Sequence, residues 1–168
     1  MELRAINVLI LDVDGVLTDG RLALGADGEP FKVFSTLDGC AIRCWQRASH
    51  RTAILSCRKH PAVDRRAREL GISVVRDGVD DKERPYTELL AELNVRDENV
   101  CYVGDDLLDL SPMSRCALPV AVSNAAGAVK RAARYVTQRR GGDGAVAEVI
   151  ELVLRKQGRW SQACLPGA

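Results

Sequence analysis

The chain has 168 residues, and its 24 Lys and Arg against 23 Asp and Glu leave a formal net charge of +1. Its 46% hydrophobic and 28% charged residues are typical of one globular domain and exclude a disordered or collagen-like chain. The balanced charge and the presence of only 2 Phe, 2 Trp and 3 Tyr argue against a nucleic-acid partner, which needs a basic surface and aromatic platforms for bases.

The hydropathy pattern predicts neither a membrane span nor a secretion signal. No window approaches the roughly 18 to 20 consecutive apolar residues that span a bilayer. The first residues, MELRAINVLILDVDG, lack a signal-peptide cleavage site. We therefore expect a cytoplasmic protein without a membrane partner.

The six cysteines are expected to be reduced and mostly buried. They form no C-x-x-C pair, and His50 and His60 are not spaced to complete a zinc site with them. These cysteines are Cys40, Cys44, Cys57, Cys101, Cys116 and Cys164.

Short apolar runs alternate with amphipathic stretches along the chain. The runs are typical of strands buried on both faces; they cover residues 8–11, 53–55, 74–75, 100–103 and 118–122. The stretches have apolar residues at helical spacing, as in 63–70, 86–93 and 146–153. This alternation predicts an α/β fold, a doubly wound parallel sheet with its ligand crevice at the carboxyl ends of the strands.

Two segments depart from this alternation. After the first strand, TDGRLALGADGEPFKVF carries turn signals at Gly25, Asp27 and Gly28 and predicts a β-hairpin flap over about residues 18–34. The final GRWSQACLPGA loses helical periodicity, which predicts an irregular tail over 157–168. The expected organisation is one domain over 1–156, including the flap, followed by the tail.

Two acids follow the first apolar run. Asp12 and Asp14 are two residues apart, so on an extended strand end both carboxylates point to the same side. Close carboxylates cannot easily both ionise without a cation, which separates their roles into an anionic nucleophile or metal ligand and a protonated acid. Taken alone, the pair fits a capping or turn role equally well. The longer run DVDGVLTDG is far more specific.

A second acidic cluster, GDDLLD, follows the apolar run at 100–103. Asp105 and Asp109 are four residues apart and would share one face of a helix, with Asp106 beside them. One Asp could simply cap that helix while the others remain solvated. However, three carboxylates exceed what capping needs, and an oxygen-rich cluster suits Mg²⁺.

Groups of the opposite character occur at other predicted strand and helix ends. Ser56 and Arg58 follow the run at 53–55, and Lys82 lies at the start of the helix predicted over 86–93. A hydroxyl and a fixed cation can hold phosphate oxygens. Separately, Ser56 is equally typical of a helix cap and Lys82 of a surface lysine. The order acids, hydroxyl, lysine, acids is the signature of one enzyme superfamily.

With these motifs the sequence resembles the haloacid dehalogenase superfamily of phosphotransferases. It is most similar to the small branch without a cap domain that contains the 3-deoxy-D-manno-octulosonate 8-phosphate phosphatases. The resemblance covers most of the chain. It includes the runs DVDGVLTDG, LDGCAIR, RRARELGI, DGVDDK, YVGDDLLDL and GGDGAVAEVIE, in the family's order and approximate spacing.

The resemblance implies a role for each matched residue. Asp12 would attack phosphorus and form an aspartyl-phosphate, and Asp14 would protonate the leaving hydroxyl and then activate water. Ser56 and Lys82 would bind the phosphoryl oxygens. Mg²⁺ would be held by the Asp12 carboxylate, the Asp14 backbone carbonyl and Asp105. Asp106 or Asp109 would support the metal site from nearby.

The resemblance also implies the substrate and the assembly. The expected substrate is a phosphorylated sugar acid of outer-envelope polysaccharide synthesis. Arg58 at the pocket rim accompanies eight-carbon octulosonate phosphates in the family, whereas an acidic residue accompanies nine-carbon nonulosonate phosphates; a salt bridge at the next helix start is the alternative role for Arg58. Relatives form homotetramers in which flaps and tails complete a neighbour's site, and Arg66 could assist at a subunit boundary.

One departure from the family pattern and three rival functions remain open. The family's Thr-Gly-Arg motif is Ser56-Cys57-Arg58 here, so Cys57 adds a side chain beside the phosphate and could require a different turn. The rivals are a nonulosonate 9-phosphate phosphatase, a non-catalytic oligomerising domain of this fold, and a receiver domain. The flap and the D-x-D-G-x-L-T order argue against a receiver domain.

Overall fold

The computed structural model of the chain describes residues 3–24 and 30–164. The strands in this part of the chain are β1 (Val8–Leu11), β2 (Ala23–Leu24), β3 (Pro30–Phe31), β4 (Arg51–Leu55), β5 (Val74–Arg76), β6 (Val100–Gly104), β7 (Leu118–Ala121) and β8 (Tyr135–Val136). The α-helices are α1 (Thr36–Arg47), α2 (Pro61–Leu70), α3 (Glu83–Leu93), α4 (Leu110–Arg115), α5 (Gly127–Ala132), α6 (Ala145–Lys156) and α7 (Trp160–Cys164).

Six of these strands form a single parallel sheet in the order β5-β4-β1-β6-β7-β8. In the centre of this sheet, Leu11 of β1 pairs with Ile54 of β4 on one side and Val103 of β6 on the other. The chain winds from β1 through β4 to β5 and then crosses to β6 on the opposite side. Such a reversal opens a crevice at the carboxyl ends of the central strands. The predicted doubly wound α/β fold is confirmed.

Helices cover the sheet in two layers. In one layer α1 packs against α2, α6 and α7, and in the other α4 packs against α3 and α5. Every residue of β1 is at most 1% exposed, which explains why this strand is a continuous apolar run rather than an alternating one. Of the helices that the structure describes, none is long and apolar enough to cross a bilayer.

The predicted flap is present as an antiparallel hairpin of β2 and β3. Ala23 pairs with Phe31, and Leu24 pairs with Pro30. The turn signals at Gly25, Asp27 and Gly28 lie outside the described residues.

The carboxyl-terminal segment differs from the irregular tail that its lost periodicity predicts. Residues Trp160–Cys164 form α7, which packs against α1 and buries Ala163. Just before it, the Gln157 side-chain amide donates hydrogen bonds to the carbonyls of Leu3 and Ile6 at 2.9 and 2.7 Å. A five-residue helix is too short to show a periodic pattern, and its stability comes from packing. The division into a domain over 1–156 and a tail stays a prediction.

The six cysteines are free thiols, as predicted. The expectation that most are buried is too strong, since Cys44, Cys101 and Cys116 are buried, Cys57 and Cys164 are half-buried and Cys40 is exposed.

Candidate active site

Residues from three central strand ends meet in one pocket at the carboxyl edge of the sheet. Asp12 follows β1, Ser56 follows β4 and Asp105 follows β6, while Lys82 precedes the first turn of α3. The pocket has a volume of about 310 Å³. Its lining residues are Asp12, Asp14, Gly20, Ser56, Cys57, Arg58, Lys82, Asp105, Asp106 and Leu108. The parallel sheet therefore brings together the acids, the hydroxyl and the lysine that the sequence singles out.

A larger hollow of about 740 Å³ lies at the opposite edge of the sheet. Its lining includes Arg4, His50, Arg155 and Arg159, and the described residues around it include no carboxylate. Its lining includes the Ser49 hydroxyl and the His50 ring but no cluster of carboxylates that could hold a divalent cation. Chemistry rather than volume therefore places the candidate active site at the carboxyl edge.

The run DVDGVLTDG folds into a tight turn held by Thr18. The Thr18 hydroxyl accepts hydrogen bonds from the backbone N–H groups of Gly15 and Gly20 and donates one to the carbonyl of Val13, each at 3.3 Å. Gly15 has a φ of +90°, and a Cβ at this position would lie 2.0 Å from Asp105 Oδ2. Glycine is required here both for the backbone conformation and for the approach of Asp105.

Lys82 joins two carboxylates in the floor of the pocket. Its ammonium lies 2.9 Å from Asp12 Oδ1 and 2.6 Å from Asp109 Oδ1, and all three side chains are at least nine-tenths buried. Burial alone would lower the pKa of Lys82, but the two carboxylates more than offset this and raise it. Lys82 is therefore a buried, charged and fixed cation next to Asp12.

Asp109, not Asp106, is the buried supporting carboxylate that the sequence left undecided. Asp109 Oδ1 also accepts a hydrogen bond from the Tyr102 hydroxyl at 2.7 Å, and Oδ2 accepts two from the backbone N–H groups of Asp105 and Asp106 at 2.8 and 3.1 Å. Asp106 is exposed, and its side chain accepts a hydrogen bond from the Leu107 backbone N–H at the start of the following turn. The expected shared helical face of Asp105 and Asp109 is wrong, because a 3₁₀ turn, Leu107–Asp109, precedes α4 and folds Asp109 back under Asp105.

The carboxylates around Lys82 exceed the positive charge that it supplies. Oxygens of Asp12, Asp105 and Asp109 lie within 4.8 Å of one another. Burial, reinforced by Asp12 and Asp109, raises the pKa of Asp105 to about 8. Burial also raises the pKa of Asp12 to about 6, against the opposing effect of Lys82. The ionised forms of Asp12 and Asp105 are therefore unfavourable in the chain alone. A divalent cation stabilises such ionised carboxylates.

The free oxygens show which carboxylates could ligate that cation. Asp105 Oδ1 is buried and has no hydrogen-bond partner within residues 3–24 and 30–164. Both oxygens of Asp109, by contrast, are already engaged by donors. Asp12 and Asp105 therefore fit as ligands of a hard cation, with Asp109 holding them in place.

Asp14 lines the same pocket but belongs to a different charge pair. Its Oδ1 accepts a hydrogen bond from the Lys32 ammonium, which comes from the segment after β3. The Asp14 carboxylate is thus not part of the three-carboxylate cluster. Asp12 and Asp14 thus line one pocket, as their spacing predicts, but pair with different lysines, and the different roles of the two acids stay a prediction.

Ser56, Cys57 and Arg58 form a further part of the pocket lining. Ser56 is 1% exposed, and its hydroxyl accepts a hydrogen bond from the Arg58 backbone N–H at 3.4 Å. Within the described chain, Ser49 and Asn94 are the non-glycine residues with positive φ, so Cys57 occupies the family's glycine position without left-handed backbone. Burial raises the pKa of the Cys57 thiol. Arg58 is exposed at the rim, and no ion pair joins it to the described part of α2.

Comparison with known proteins agrees with this geometry. A family model described as haloacid dehalogenase-like hydrolase matches residues 66–150. The 3-deoxy-D-manno-octulosonate 8-phosphate phosphatase KdsC of Escherichia coli (strain K12) is 43% identical over 158 residues, which cover 94% of this chain and 84% of the relative. The chain belongs to the haloacid dehalogenase-like phosphatases.

Solved structures of such phosphatases share the whole fold with this one. The 3-deoxy-D-manno-octulosonate 8-phosphate phosphatase from Yersinia pestis superposes with a TM-score of 0.92 at 41% identity and covers 95% of this chain and 86% of its own. The Moraxella catarrhalis phosphatase of the same name has a TM-score of 0.92 at 34% identity, with coverages of 95% and 92%. That structure is a complex with a magnesium ion, a phosphate ion and a KDO molecule.

One predicted binding residue of this phosphatase lies away from the pocket. The Arg66 guanidinium donates a hydrogen bond to the Ser35 carbonyl at 3.0 Å and pairs with Glu69 at 2.9 Å. It also lies 5.9 Å from the centre of the Phe34 ring. Within a single chain Arg66 therefore braces the start of α1, and its role at a subunit boundary stays a prediction.

The sequence interpretation missed three polar residues of the phosphatase that do not line the pocket but contact its acids or the turn after β1. Lys32 and Tyr102 contact the acids directly, and Asn124 bridges the amide of Gly141 (2.7 Å) and the carbonyl of Gly15 (3.3 Å). Tyr102 lies within an apolar run and Asn124 in a loop, so neither stands out in the sequence. Lys32 is one polar residue between the apolar Phe31 and Val33. This alternation would place Lys32 on the opposite face from its neighbours only if the segment were known to be extended.

Proposed function

We propose that this phosphatase hydrolyses the phosphate monoester of an acidic sugar, 3-deoxy-D-manno-octulosonate 8-phosphate, with Mg²⁺ as cofactor and through an aspartyl-phosphate. The observation that carries the proposal is the buried contact of Asp12 with Lys82 beside the separate acid Asp14. This arrangement supplies a nucleophile, a fixed cation and a proton carrier within one pocket.

The first step forms a bond from an Asp12 carboxylate oxygen to phosphorus while the bond from phosphorus to the sugar oxygen breaks. Lys82 and Ser56 bind the phosphoryl oxygens, and Asp14 donates a proton to the departing sugar oxygen. Lys82 is already positioned by Asp109, so it needs no rearrangement to hold the phosphoryl group.

The second step returns Asp12 to its carboxylate form. Asp14, now deprotonated, accepts a proton from water as the water oxygen bonds to phosphorus and the acyl-phosphate bond breaks. The products are inorganic phosphate and the sugar acid. Asp14 serves both steps because the proton that it takes from water replaces the proton that it gave to the sugar oxygen.

The excess of carboxylates makes a divalent cation necessary. Mg²⁺ held by the Asp12 and Asp105 side chains and the Asp14 carbonyl would neutralise the charge that otherwise repels a phosphate dianion. The orphaned Asp105 Oδ1 and the raised pKa of Asp105 support this assignment.

Two features support the octulosonate as substrate and a homotetramer as the assembly. Arg58 stands exposed at the rim, where it can pair with the carboxylate of a sugar acid without competing for the phosphate.

The flap exposes apolar side chains that would suit contact with other copies of this chain; they are Leu22, Leu24, Phe31 and Val33. The cytoplasm stays the predicted compartment.

The proposal is tested by measuring phosphate release from octulosonate 8-phosphate, nonulosonate 9-phosphate and 4-nitrophenyl phosphate. We expect kcat/KM to be highest for the octulosonate, with activity lost on chelation and restored by Mg²⁺. Asp12→Asn should lower kcat by more than about 1000-fold, because an amide oxygen is a poor nucleophile. The exposed Asp143→Asn serves as the matched control and should leave kcat unchanged.

The outcomes separate the rival functions. No phosphate release from any substrate would indicate a non-catalytic domain. A preference for the nonulosonate would show that the substrate is the nine-carbon sugar phosphate instead. An active Asp12→Asn variant would show that Asp12 is not the nucleophile.

A further inference from the structure

Lys32 is a buried cation that the chemistry proposed above does not use. It lies between β3 and α1, and its side chain is 3% exposed, although its neighbours Phe31 and Val33 are 69% and 78% exposed. In this extended segment successive side chains point to opposite sides. The segment therefore turns Phe31 and Val33 outward and Lys32 inward, toward Asp14.

Burying an ammonium is unfavourable unless a partner compensates it. The partner of Lys32 is Asp14, whose Oδ1 accepts its hydrogen bond. A purely structural lysine would not need to reach a carboxylate that lines the catalytic pocket. Instead, the flap places this lysine against Asp14, which lines the same pocket as Asp12 and Lys82.

The second oxygen of Asp14 is in a different state from the first. Asp14 Oδ2 is buried, and no group in the described ranges forms a hydrogen bond with it. A buried carboxylate oxygen without a donor is costly, and such exceptions concentrate at functional sites. One oxygen of Asp14 is thus anchored from the flap while the other is left for a group that enters the pocket.

We propose that Lys32 is a positioning residue that holds Asp14 by one oxygen, so that the other faces the oxygen departing from phosphorus. This inference rests on the function proposed above and adds to it the residue that orients the proton carrier. It also gives the flap a role inside its own subunit, since displacement of β3 would release Asp14.

The proposal predicts a dependence on the leaving group. A sugar hydroxyl is a poor leaving group and requires the proton from Asp14, whereas 4-nitrophenolate leaves without one. A misplaced Asp14 should therefore slow transfer from the sugar phosphate to Asp12 and spare transfer from the aryl phosphate. A general weakening of the site would slow both.

The experiment measures single-turnover release of the leaving group from octulosonate 8-phosphate and from 4-nitrophenyl phosphate by wild type and by Lys32→Met, with Mg²⁺ present. We expect release of the sugar to slow by about 10- to 100-fold and release of 4-nitrophenolate by less than about threefold. In steady state the variant should show a burst of 4-nitrophenolate, because the second step also depends on Asp14.

Two further variants keep the test decisive. Arg21→Met removes another cation of the flap region, one that is exposed and pairs with exposed Asp19, and it should behave as wild type. In an Asp14→Asn background, Lys32→Met should cause no further loss on the sugar phosphate, because Lys32 acts through Asp14. If Lys32→Met does not fold, judged by its thermal transition, Lys32→Gln is used with the same expectation.

Equal losses on both substrates, no loss on either, or a further loss in the Asp14→Asn background would overturn the role of Lys32. A wild type inactive on both substrates would instead overturn the phosphatase proposal. The two failures are thus distinguishable.

Discussion

At the scale of single residues, Asp109 shows how one buried side chain organises the site. Its two oxygens accept hydrogen bonds from Lys82, Tyr102 and two backbone N–H groups, and the side chain is fully buried. Each such bond to a charged group contributes about 1.5 to 3 kcal/mol. Asp109 therefore fixes the position of Lys82 and the path of the chain at Asp105 without occupying the pocket itself.

Arg58 is the residue whose replacement should change substrate choice. Because it is exposed at the rim and pairs with no described carboxylate, Arg58→Glu should spare the fold and remove a contact with the sugar carboxylate. We expect kcat/KM for octulosonate 8-phosphate to fall by about 1 to 3 kcal/mol, with a smaller loss on 4-nitrophenyl phosphate. Lys59→Glu, a change of the same charge at the adjacent exposed residue, should alter neither.

Equal losses on the two substrates would show instead that Arg58 supports the phosphate site or the fold.

At the scale of elements, the flap is too short to fold by its own contacts. Its two strands have two residues each, and an isolated hairpin of that size is unstable in water. The contact of the buried Lys32 side chain with the half-buried Asp14 ties its second strand to the active site. Its exposed apolar side chains, which face away from that contact, provide a surface for another subunit.

The exposed face of the flap should therefore control assembly. Leu24 and Phe31 are 68% and 69% exposed, so replacing both by Asp should cost the isolated subunit little stability and oppose association. We expect light scattering to show a tetramer for wild type and a smaller species for Leu24→Asp/Phe31→Asp. Val136→Asp, an apolar-to-acid change on β8 away from the flap, is the matched control.

A wild type that is fully active as a monomer, or a double variant that remains tetrameric, would contradict this assembly.

At the scale of the whole molecule, the active site joins both halves of the sheet. Asp12 follows β1, Asp105 follows β6, and Lys82 precedes α3, which crosses from one side of the sheet to the other. The stability of the entire domain is therefore linked to the charge state of this cluster.

The linkage predicts how stability depends on pH and Mg²⁺. In the folded chain alone the pKa values of Asp105 and Asp12 are raised to about 8 and about 6 from 3.8, so the folded state binds more protons than the unfolded state in this range. Stability is then highest below about pH 4 for these groups and falls as pH rises through their folded pKa values. A bound cation replaces the protons, so Mg²⁺ should stabilise the protein more at pH 8 than at pH 5.5.

The effect is measured by thermal unfolding at the two pH values, once with chelator and once with Mg²⁺. Each kcal/mol of added stability should raise Tm by about 2 to 4 °C. Asp105→Asn should remove most of the pH dependence. A Mg²⁺ effect that is the same at both pH values would contradict the linkage.

The sequence by itself determined the α/β fold and the acids, hydroxyl and lysine that line the pocket. Short apolar runs predict the strands β1, β4, β5, β6 and β7, and helical periodicity predicts α2, α3 and α6. Because the carboxyl ends of adjacent parallel strands must meet, Asp12, Ser56 and Asp105 converge. The tertiary structure alone decided which groups touch. The choice of Asp109 over Asp106 depends on a 3₁₀ turn, and the pairing of Lys32 with Asp14 depends on the path of the flap. The elements α7 and β8 are too short for a periodic pattern, so packing against their neighbours determines their structure.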